Sequence, residues 1–150
     1  MTVQPLVATA ECAPSYYDIE ALASEVHRDY FSDEALLPIR WGQQINRKKR
    51  RRIRLGSYDH RTTEIRIHPS LNSPSVPRYF IQSIIHHEYL HHVLGPNHNR
   101  RFHAHERRYR FHRESKLWLK RNLPILLGRR VKPVLRAVRD TPAPRQMALF

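Results

Sequence analysis

Apolar residues recur at helical spacing in the first part of the chain, between residues 17 and 37. The repeating positions are Ile19, Leu22, Ala23, Val26 and Tyr30. Because they are mostly three or four residues apart, they fall on one face of an α-helix. Asp18 is a suitable N-cap for this helix, and Pro38 is expected to stop it.

Three short stretches with alternating apolar residues follow, and each predicts a half-buried β-strand. They contain the pairs Ile39 and Trp41, Ile53 and Leu55, and Ile65 and Ile67. The segment GSYDHRTTE, residues 56–64, is rich in turn-forming residues. It therefore predicts a hairpin connection between the last two strands.

A long apolar helix is predicted to follow the loop LNSPSVP, residues 71–77, and to continue to Leu94. It is apolar around most of its circumference, as expected for a helix at the centre of a fold. Gly95 and Pro96 should end it. A second, charged helix is predicted from Asn99 to Asn122.

These elements predict one α+β domain, with an N-terminal helix, a small three-stranded sheet, a central helix and a C-terminal helix. The expected parts are a loose leader over residues 1–15, the folded domain over 16–124 and a flexible basic tail over 125–150. The single cysteine, Cys12, excludes an internal disulfide and favours a reducing compartment. Since we find neither a signal peptide nor a bilayer-length apolar run, we expect a cytoplasmic protein with no membrane partner.

The charge of the chain is strongly positive and unevenly distributed. The formal net charge is +14, yet residues 1–39 carry one base against seven acids. The bases cluster over residues 40–54, 100–121 and 128–145. Such clusters bind phosphate backbones without sequence specificity, so the charge favours a nucleic-acid partner. Our candidates for nucleic-acid binding in the first cluster are Arg47, Lys48, Lys49, Arg50, Arg51 and Arg52.

The segment HHEYLHH, residues 86–92, holds four histidines, of which one pair has metal-binding spacing. Four helical residues advance about 400°, so His87 and His91 point the same way, whereas His86 and His92 are rotated off that face. The resulting HExxH motif predicts a zinc site, with Glu88 beside the metal as a non-ligand. Zinc would acidify water, and Glu88 would accept the proton as that water attacks a carbonyl.

A third ligand is required, and the sequence leaves several candidates. His98 is the nearest, because a turn at Gly95 and Pro96 could fold it back onto the pair. A thermolysin-like enzyme would use a glutamate from the next helix instead. The rivals to His98 are His103, His105, Glu106 and Glu114. A metzincin is excluded, since Gly95 and His98 each fall one residue late for its motif and no methionine lies in the expected turn.

The motif HExxH followed by His98-Asn-Arg-Arg-Phe102 resembles the SprT-like zinc metallopeptidases. The resemblance extends over about residues 18–122 and includes LGSYDHRTTEIRIHPSL, residues 55–71. It implies a compact zincin fold, with His87, His91 and His98 as zinc ligands and Glu88 as the base. It also implies an endopeptidase, since family members include proteases that digest proteins trapped on DNA. The four-cysteine zinc ribbon of many relatives is missing here.

Substrate and oxyanion sites are also expected for such an enzyme. Zincin substrates usually add their backbone to an edge strand, and the strand around Ile65–Ile67 is our candidate. Tyr58 or one of the spare histidines would polarise the oxyanion, but the sequence does not select among them.

The last five residues, QMALF, resemble the peptide by which bacterial DNA polymerases and repair proteins dock on the sliding clamp. The candidate partner-binding residues are Gln146, Met147, Leu149 and Phe150. This resemblance implies a bacterial, nucleoid-associated protein whose partners are DNA, a protein substrate and the clamp.

Two other functions compete with the peptidase. A metal-dependent endoribonuclease of the YbeY type also uses three spaced histidines, but Glu88 and the spacing to His98 depart from that pattern. A non-catalytic adaptor for DNA or the clamp would use zinc only to hold its fold. A structural site needs no glutamate at position 88 and usually has four protein ligands.

Overall fold

The computed structural model describes residues 15–43 and 53–128, which form four helices and one three-stranded sheet. In chain order the elements are α1 (Ile19–Tyr30), β1 (Ile39–Trp41), β2 (Gly56–Asp59), β3 (Glu64–Ile67), a 3₁₀ turn (Pro69–Leu71), α2 (Arg78–Leu94), α3 (Arg100–Glu106) and α4 (His112–Leu126). The predicted α+β class is therefore present. No helix in the described ranges is long and apolar enough to cross a membrane.

The order of strands in the sheet is β1-β3-β2, so the strand at Glu64–Ile67 is central. It pairs in parallel with β1 and antiparallel with β2. Ile65 and Ile67 are completely buried, because β3 has neighbours on both sides and its alternate side chains face the core. The prediction that Ile65–Ile67 forms an edge strand is wrong. Within residues 15–43 and 53–128, the edges of the sheet are β1 and β2.

The hairpin strand begins later than the alternation of Ile53 and Leu55 predicted. It covers Gly56–Asp59, within the segment that was expected to be only a connection. Residues 60–63 are left for the turn, where Thr63 adopts a positive φ of 57°. All four strand residues pair with β3, and this pairing outweighs the low strand propensity of Gly56.

Helix α1 begins as predicted and ends early. The side chain of Asp18 accepts a hydrogen bond from the Ala21 backbone N–H across 3.2 Å, which caps the first turn. The helix stops at Tyr30 rather than continuing towards Leu37. Contacts with α2 explain the difference. The Phe31 ring stacks on Tyr89, and the buried backbone N–H of Leu37 donates to the hydroxyl of Tyr89.

Helix α2 lies at the centre of the fold, as its apolar circumference predicted. Its buried apolar residues are Phe80, Ile81, Ile85, Tyr89 and Leu90. The helix packs against α1, α3, α4 and the sheet. It ends where Gly95 takes a φ of 92° and donates its N–H to the His91 carbonyl. That conformation favours glycine, and it turns the chain towards His98.

The charged helix predicted over residues 99–122 is two helices. Asn99 caps α3 by accepting a hydrogen bond from the Phe102 N–H at 2.9 Å. The chain then bends over residues 107–111, where Tyr109 is buried and donates its hydroxyl to the Tyr79 carbonyl at 2.7 Å. Local helix propensity alone favours one continuous helix. The chain is instead broken here, because the break lets the aromatic side chain of Tyr109 enter the core.

Candidate metal centre

Three histidine side chains converge at the C-terminal half of α2. The Nε2 atom of His91 is 3.2 Å from that of His87 and 3.0 Å from that of His98. His87 and His91 come from one face of α2, and His98 comes from the turn after Gly95. The candidate ligand atoms all lie within 4.8 Å of one another. Three imidazole nitrogens this close together could hold a metal ion.

The buried ring of Phe102 packs against this histidine cluster. Its centroid lies 4.9 Å from the ring of His87 and 4.8 Å from the rings of both His91 and His98. Helix α3 places Phe102 there because Asn99 caps the helix immediately after His98. The aromatic residue four positions after His98 thus supports all three imidazoles.

The other ring nitrogens of the two helical histidines are held by acceptors. His87 donates from Nδ1 to Glu106 Oε2 across 2.5 Å, and His91 donates from Nδ1 to the Gly95 carbonyl across 3.1 Å. These hydrogen bonds fix each ring and leave Nε2 available, as in protein metal sites. Burial lowers the pKa of His91, which favours the neutral, metal-binding form of imidazole.

Glu106 lies on the side of His87 that faces away from the cluster. Burial alone would raise its pKa, but the hydrogen bond from His87 and the neighbouring imidazoles lower the pKa of Glu106 to about 2. Its other oxygen is 3.5 Å from Nδ1 of His103. Glu106 is therefore an ionised acceptor for the ring of His87.

The remaining rivals to His98 stand apart from the three converging nitrogens. Glu114 has an Oε2 atom that is buried without a hydrogen-bond partner among the described residues. His105 contacts the guanidinium of Arg108 at 3.1 Å. Within the described ranges, the three side chains grouped closely enough to hold a metal are His87, His91 and His98.

Glu88 is the buried acid of this site, with 5% of its surface exposed. Its neighbour is the backbone of Gly56 in β2: a Cβ at that position would lie 2.9 Å from Glu88 Oε1 and 2.5 Å from Ile84 Cγ2. Burial raises the pKa of Glu88 to about 7, although His87 and Arg54 act in the opposite direction. Such a pKa suits a group that must accept and return a proton near neutrality.

A cleft of about 580 Å³ opens onto His91 and His98 of the histidine cluster and onto Glu88. Its walls include Tyr58, Glu88, His91, His92 and His98. The Tyr58 hydroxyl is 2.6 Å from Nδ1 of His92. A second cavity, of about 260 Å³, lies on another side of Glu88 and His87 and extends towards α4. Glu88 lines both cavities, so this buried acid lies between the cleft and the second cavity.

The histidines outside the ligand face have distinct surroundings. His86 is buried among the rings of Tyr30, Phe31 and Tyr109. Its Nδ1 has no hydrogen-bond partner among the described residues. Burial lowers the pKa of His86 to about 4. His86 is therefore a neutral core residue, whereas His92 faces the cleft.

Three contributors to this site were not assigned by the sequence. Glu106 was considered only as a ligand, Gly56 only as part of a turn, and His92 only as a spare histidine. The contacts that position Glu106, Gly56 and His92 in the site join residues that are 19 to 34 positions apart in the sequence. The i+4 spacing from Glu88 to His92 and the i+2 spacing from Gly56 to Tyr58 were the only local signals.

Several predicted functional residues lie outside the described part of the chain. They are the basic residues Arg47, Lys48, Lys49, Arg50, Arg51 and Arg52, and the C-terminal residues Gln146, Met147, Leu149 and Phe150. Their predicted roles stay predictions from the sequence. The same holds for most of the leader and for the tail after Gly128.

A similar fold occurs in a solved metallopeptidase. The chain resembles the crystal structure of the metallopeptidase zymogen of Methanocaldococcus jannaschii jannalysin, with a TM-score of 0.54 and 17% sequence identity. The likeness covers 82% of this chain and 97% of that one. No protein-family model and no curated protein matches the sequence. At this identity the likeness shows a shared fold.

Proposed function

We propose that the chain is a zinc-dependent endopeptidase of the SprT-like type. The observation that carries the proposal is the convergence of the His87, His91 and His98 Nε2 atoms beside the buried carboxyl group of Glu88. Three imidazole ligands with an open cleft match a catalytic rather than a structural zinc site. A bound zinc ion would supply Lewis-acid chemistry, polarising a carbonyl and acidifying water. The metallopeptidase fold of the structural neighbour supports the same reaction class.

The chain's own residues would perform the proton transfers. Glu88 would take a proton from the attacking water as the new carbon–oxygen bond forms, and would give it to the amine nitrogen as the carbon–nitrogen bond breaks. Its raised pKa and its fixed position against Gly56 both favour this exchange. Glu106, through His87, would keep one imidazole oriented towards the centre.

The substrate backbone would add to β2 rather than to β3. Strand β3 already has both neighbours, whereas β2 is at an edge of the sheet among the described residues. Its first residue, Gly56, touches Glu88, and Tyr58 lines the cleft. A peptide that paired with this edge would pass in front of the histidine cluster with its carbonyl groups fixed by main-chain hydrogen bonds.

Helices α3 and α4 support a DNA setting for this activity. Their segment, residues 100–121, presents nine exposed bases, and none forms an ion pair with an acid in the described ranges. These bases are Arg100, Arg101, Arg107, Arg108, Arg110, Arg113, Lys116, Lys120 and Arg121. The two acids of the segment, Glu106 and Glu114, are turned towards the interior. An unneutralised basic surface of this kind favours binding to phosphate backbones.

The proposed physiological substrate is therefore a protein bound or crosslinked to DNA. Docking on a bacterial sliding clamp through QMALF belongs to the same proposal, as does a nucleoid-associated, cytoplasmic location. These parts rest on the sequence, because Gln146–Phe150 lie outside the described residues. They are separable from the peptidase activity, which depends on the centre alone.

The test is cleavage by the full chain, loaded with zinc, of unfolded casein and of a DNA-bound protein. Single-stranded DNA, double-stranded DNA and no DNA would be compared. We expect cleavage by the wild type, its loss with a chelator and its loss in Glu88→Gln. Glu20→Gln, an exposed acid on α1, is the matched control and should cleave normally.

Other outcomes would assign a different function to the histidine centre. Proteolysis that persists in Glu88→Gln, with its zinc content intact, would overturn the role of Glu88. RNA cleavage by the wild type that is absent from His87→Ala would establish the endoribonuclease. Zinc-loaded protein that binds DNA and cleaves neither protein nor RNA would establish the adaptor.

A further inference from the structure

One stripe of α2 faces strand β2. Ile84, Glu88 and His92 follow one another at intervals of four residues, so they lie on the same side of the helix. Gly56 and Tyr58 are two residues apart and lie on the same face of the strand. Gly56 touches Ile84 and Glu88, while Tyr58 touches His92. Strand β2 and helix α2 thus run in the same direction where they pack together, because the later strand residue contacts the later helix residue.

The spacing of these contacts follows from the two backbones. Four helical residues advance about 6 Å, and two strand residues advance about 6.8 Å. Because these two advances are similar, the Gly56–Glu88 and Tyr58–His92 contacts can form together. As a result Tyr58 lies about one helical turn of α2 beyond Glu88, and it lines the same cleft as His91 and His98.

The Tyr58 hydroxyl shares a hydrogen bond with His92 on helix α2. Its oxygen is 2.6 Å from Nδ1 of His92, and the two rings meet edge to face with centroids 5.5 Å apart. When Nδ1 of His92 carries a proton, it donates to the phenol oxygen, and the phenol proton is then free to point into the cleft. Burial, followed by the charge of Asp59, raises the pKa of Tyr58, so the phenol keeps its proton at neutral pH.

We propose that Tyr58 is a catalytic residue that donates a hydrogen bond to the carbonyl oxygen of the scissile peptide, and that His92 positions it. The inference rests on the peptidase function proposed above. As water adds to the carbonyl carbon, the carbonyl electrons move onto oxygen, and the Tyr58 hydroxyl stabilises that charge without giving up its proton. The proton of the water goes to Glu88 and then to the leaving amine.

This assignment predicts an effect on turnover rather than on substrate or metal binding. Tyr58→Phe removes one oxygen and keeps the ring. We expect kcat of the zinc-loaded full chain on a fluorogenic peptide to fall by about 100- to 1,000-fold, with KM and zinc content little changed. The matched control is Tyr16→Phe, at an exposed tyrosine outside the cleft, which should behave as wild type.

The positioning role of His92 has its own readout. His92→Ala should lower kcat, and His92→Asn should restore part of the loss because its amide can replace Nδ1. Neither change should lower kcat further when Tyr58 is already Phe, since the two residues would act as one unit. Additive losses would overturn the positioning role.

The outcomes also separate this inference from the proposed function. If the wild type cleaves, Glu88→Gln does not, and Tyr58→Phe keeps the kcat of the wild type, the inference fails while the peptidase stands. An effect of Tyr58→Phe on KM alone would also overturn it, because that result indicates ground-state binding. If the wild type cleaves no peptide, both proposals fail.

Discussion

Glu106 Oε2 accepts a hydrogen bond from His87 Nδ1 across 2.5 Å, so helix α3 orients a candidate metal ligand that belongs to helix α2. Partners of this kind commonly raise metal affinity by 10- to 100-fold. We expect Glu106→Ala to weaken zinc binding by about 100-fold and Glu106→Gln by about 10-fold, because the amide can still accept. Competition with a zinc chelator measures both. Glu20→Gln is the control, and wild-type affinity in Glu106→Ala would contradict the orienting role.

A methyl group at Gly56 should displace the carboxyl group of Glu88. The added Cβ would lie 2.5 Å from Ile84 Cγ2 and 2.9 Å from Glu88 Oε1. A shift of about 1 Å in a catalytic group can cost about 100-fold in rate, so Gly56→Ala should lose activity on that scale while it keeps its zinc. Gly42→Ala is the matched control, because its Cβ would meet only the Ile67 carbonyl, at 3.6 Å. Equal activity of the two variants would refute the close contact.

The buried ring of His86 should make the fold sensitive to acid. Its folded pKa of about 4 lies below the unfolded value of 6.5. The unfolded chain therefore binds the proton first, and stability falls as the pH drops from about 6.5 towards 4. The loss is about 3 kcal/mol for this group, as an order of magnitude.

His86→Leu isolates this contribution. The variant should match or exceed the stability of the wild type at pH 7, because Nδ1 has no hydrogen-bond partner to lose among the described residues. Its advantage should grow as the pH falls to about 4. Urea unfolding in EDTA, which removes any metal from both proteins, gives the difference at each pH. A difference that is constant with pH would show that His86 does not stay neutral in the fold.

The hydroxyl of Tyr89 should stabilise the chain between α1 and β1. It accepts a hydrogen bond from the buried N–H of Leu37 at 3.0 Å, and its ring stacks on Phe31. Tyr89→Phe keeps the stacking and leaves the N–H unpaired, which should cost about 1–3 kcal/mol in the free energy of unfolding. Chemical denaturation provides the measurement, with Tyr16→Phe as the exposed control. No change would mean that the N–H finds another partner.

The basic surface of α4 should contribute to DNA affinity through charge alone. Arg113 and Lys120 are both exposed and lie two helical turns apart. Changing both to Gln should weaken binding to any DNA sequence, and should reduce the slope of log affinity against log salt by about 1 for each phosphate that is no longer neutralised. Arg28→Gln, whose Arg pairs with Asp29 on α1, should leave the slope unchanged. An unchanged slope in the α4 variant would place any DNA contact elsewhere.

The features that the sequence predicted correctly are local. Helix α1 has an apolar repeat and a capping Asp18, and α2 has an apolar circumference ended by Gly95. The alignment of His87 with His91 needs only the pitch of one helix. Each of these depends on residues a few positions apart, so the amino-acid pattern is sufficient.

The errors come from contacts between distant segments. Tyr89 ends α1 early, Tyr109 divides the charged helix, and pairing with β3 makes Gly56–Asp59 a strand. The place of β3 at the centre of the sheet depends on β1, which pairs with it in parallel across more than twenty residues of chain. Propensity and periodicity carry no information about such partners.

The histidine centre was predicted only in part from the sequence. Spacing identified one pair of imidazoles and left His98, Glu106 and Glu114 as alternatives for the third position. The turn at Gly95 brings the Nε2 atom of His98 to within 3.0 Å of that of His91, while Glu106 takes the opposite side of His87. Only a three-dimensional arrangement distinguishes a group that faces the candidate metal position from one that contacts the far side of a candidate ligand.

The most direct test of the proposed metal centre is X-ray absorption at the zinc edge of the full chain loaded with one equivalent of zinc. We predict three imidazole nitrogens at about 2.0–2.1 Å together with one oxygen. In His98→Ala one of the three imidazoles should disappear. Fewer than three imidazoles in the wild type, or a spectrum that His98→Ala leaves unchanged, would contradict a centre built from His87, His91 and His98.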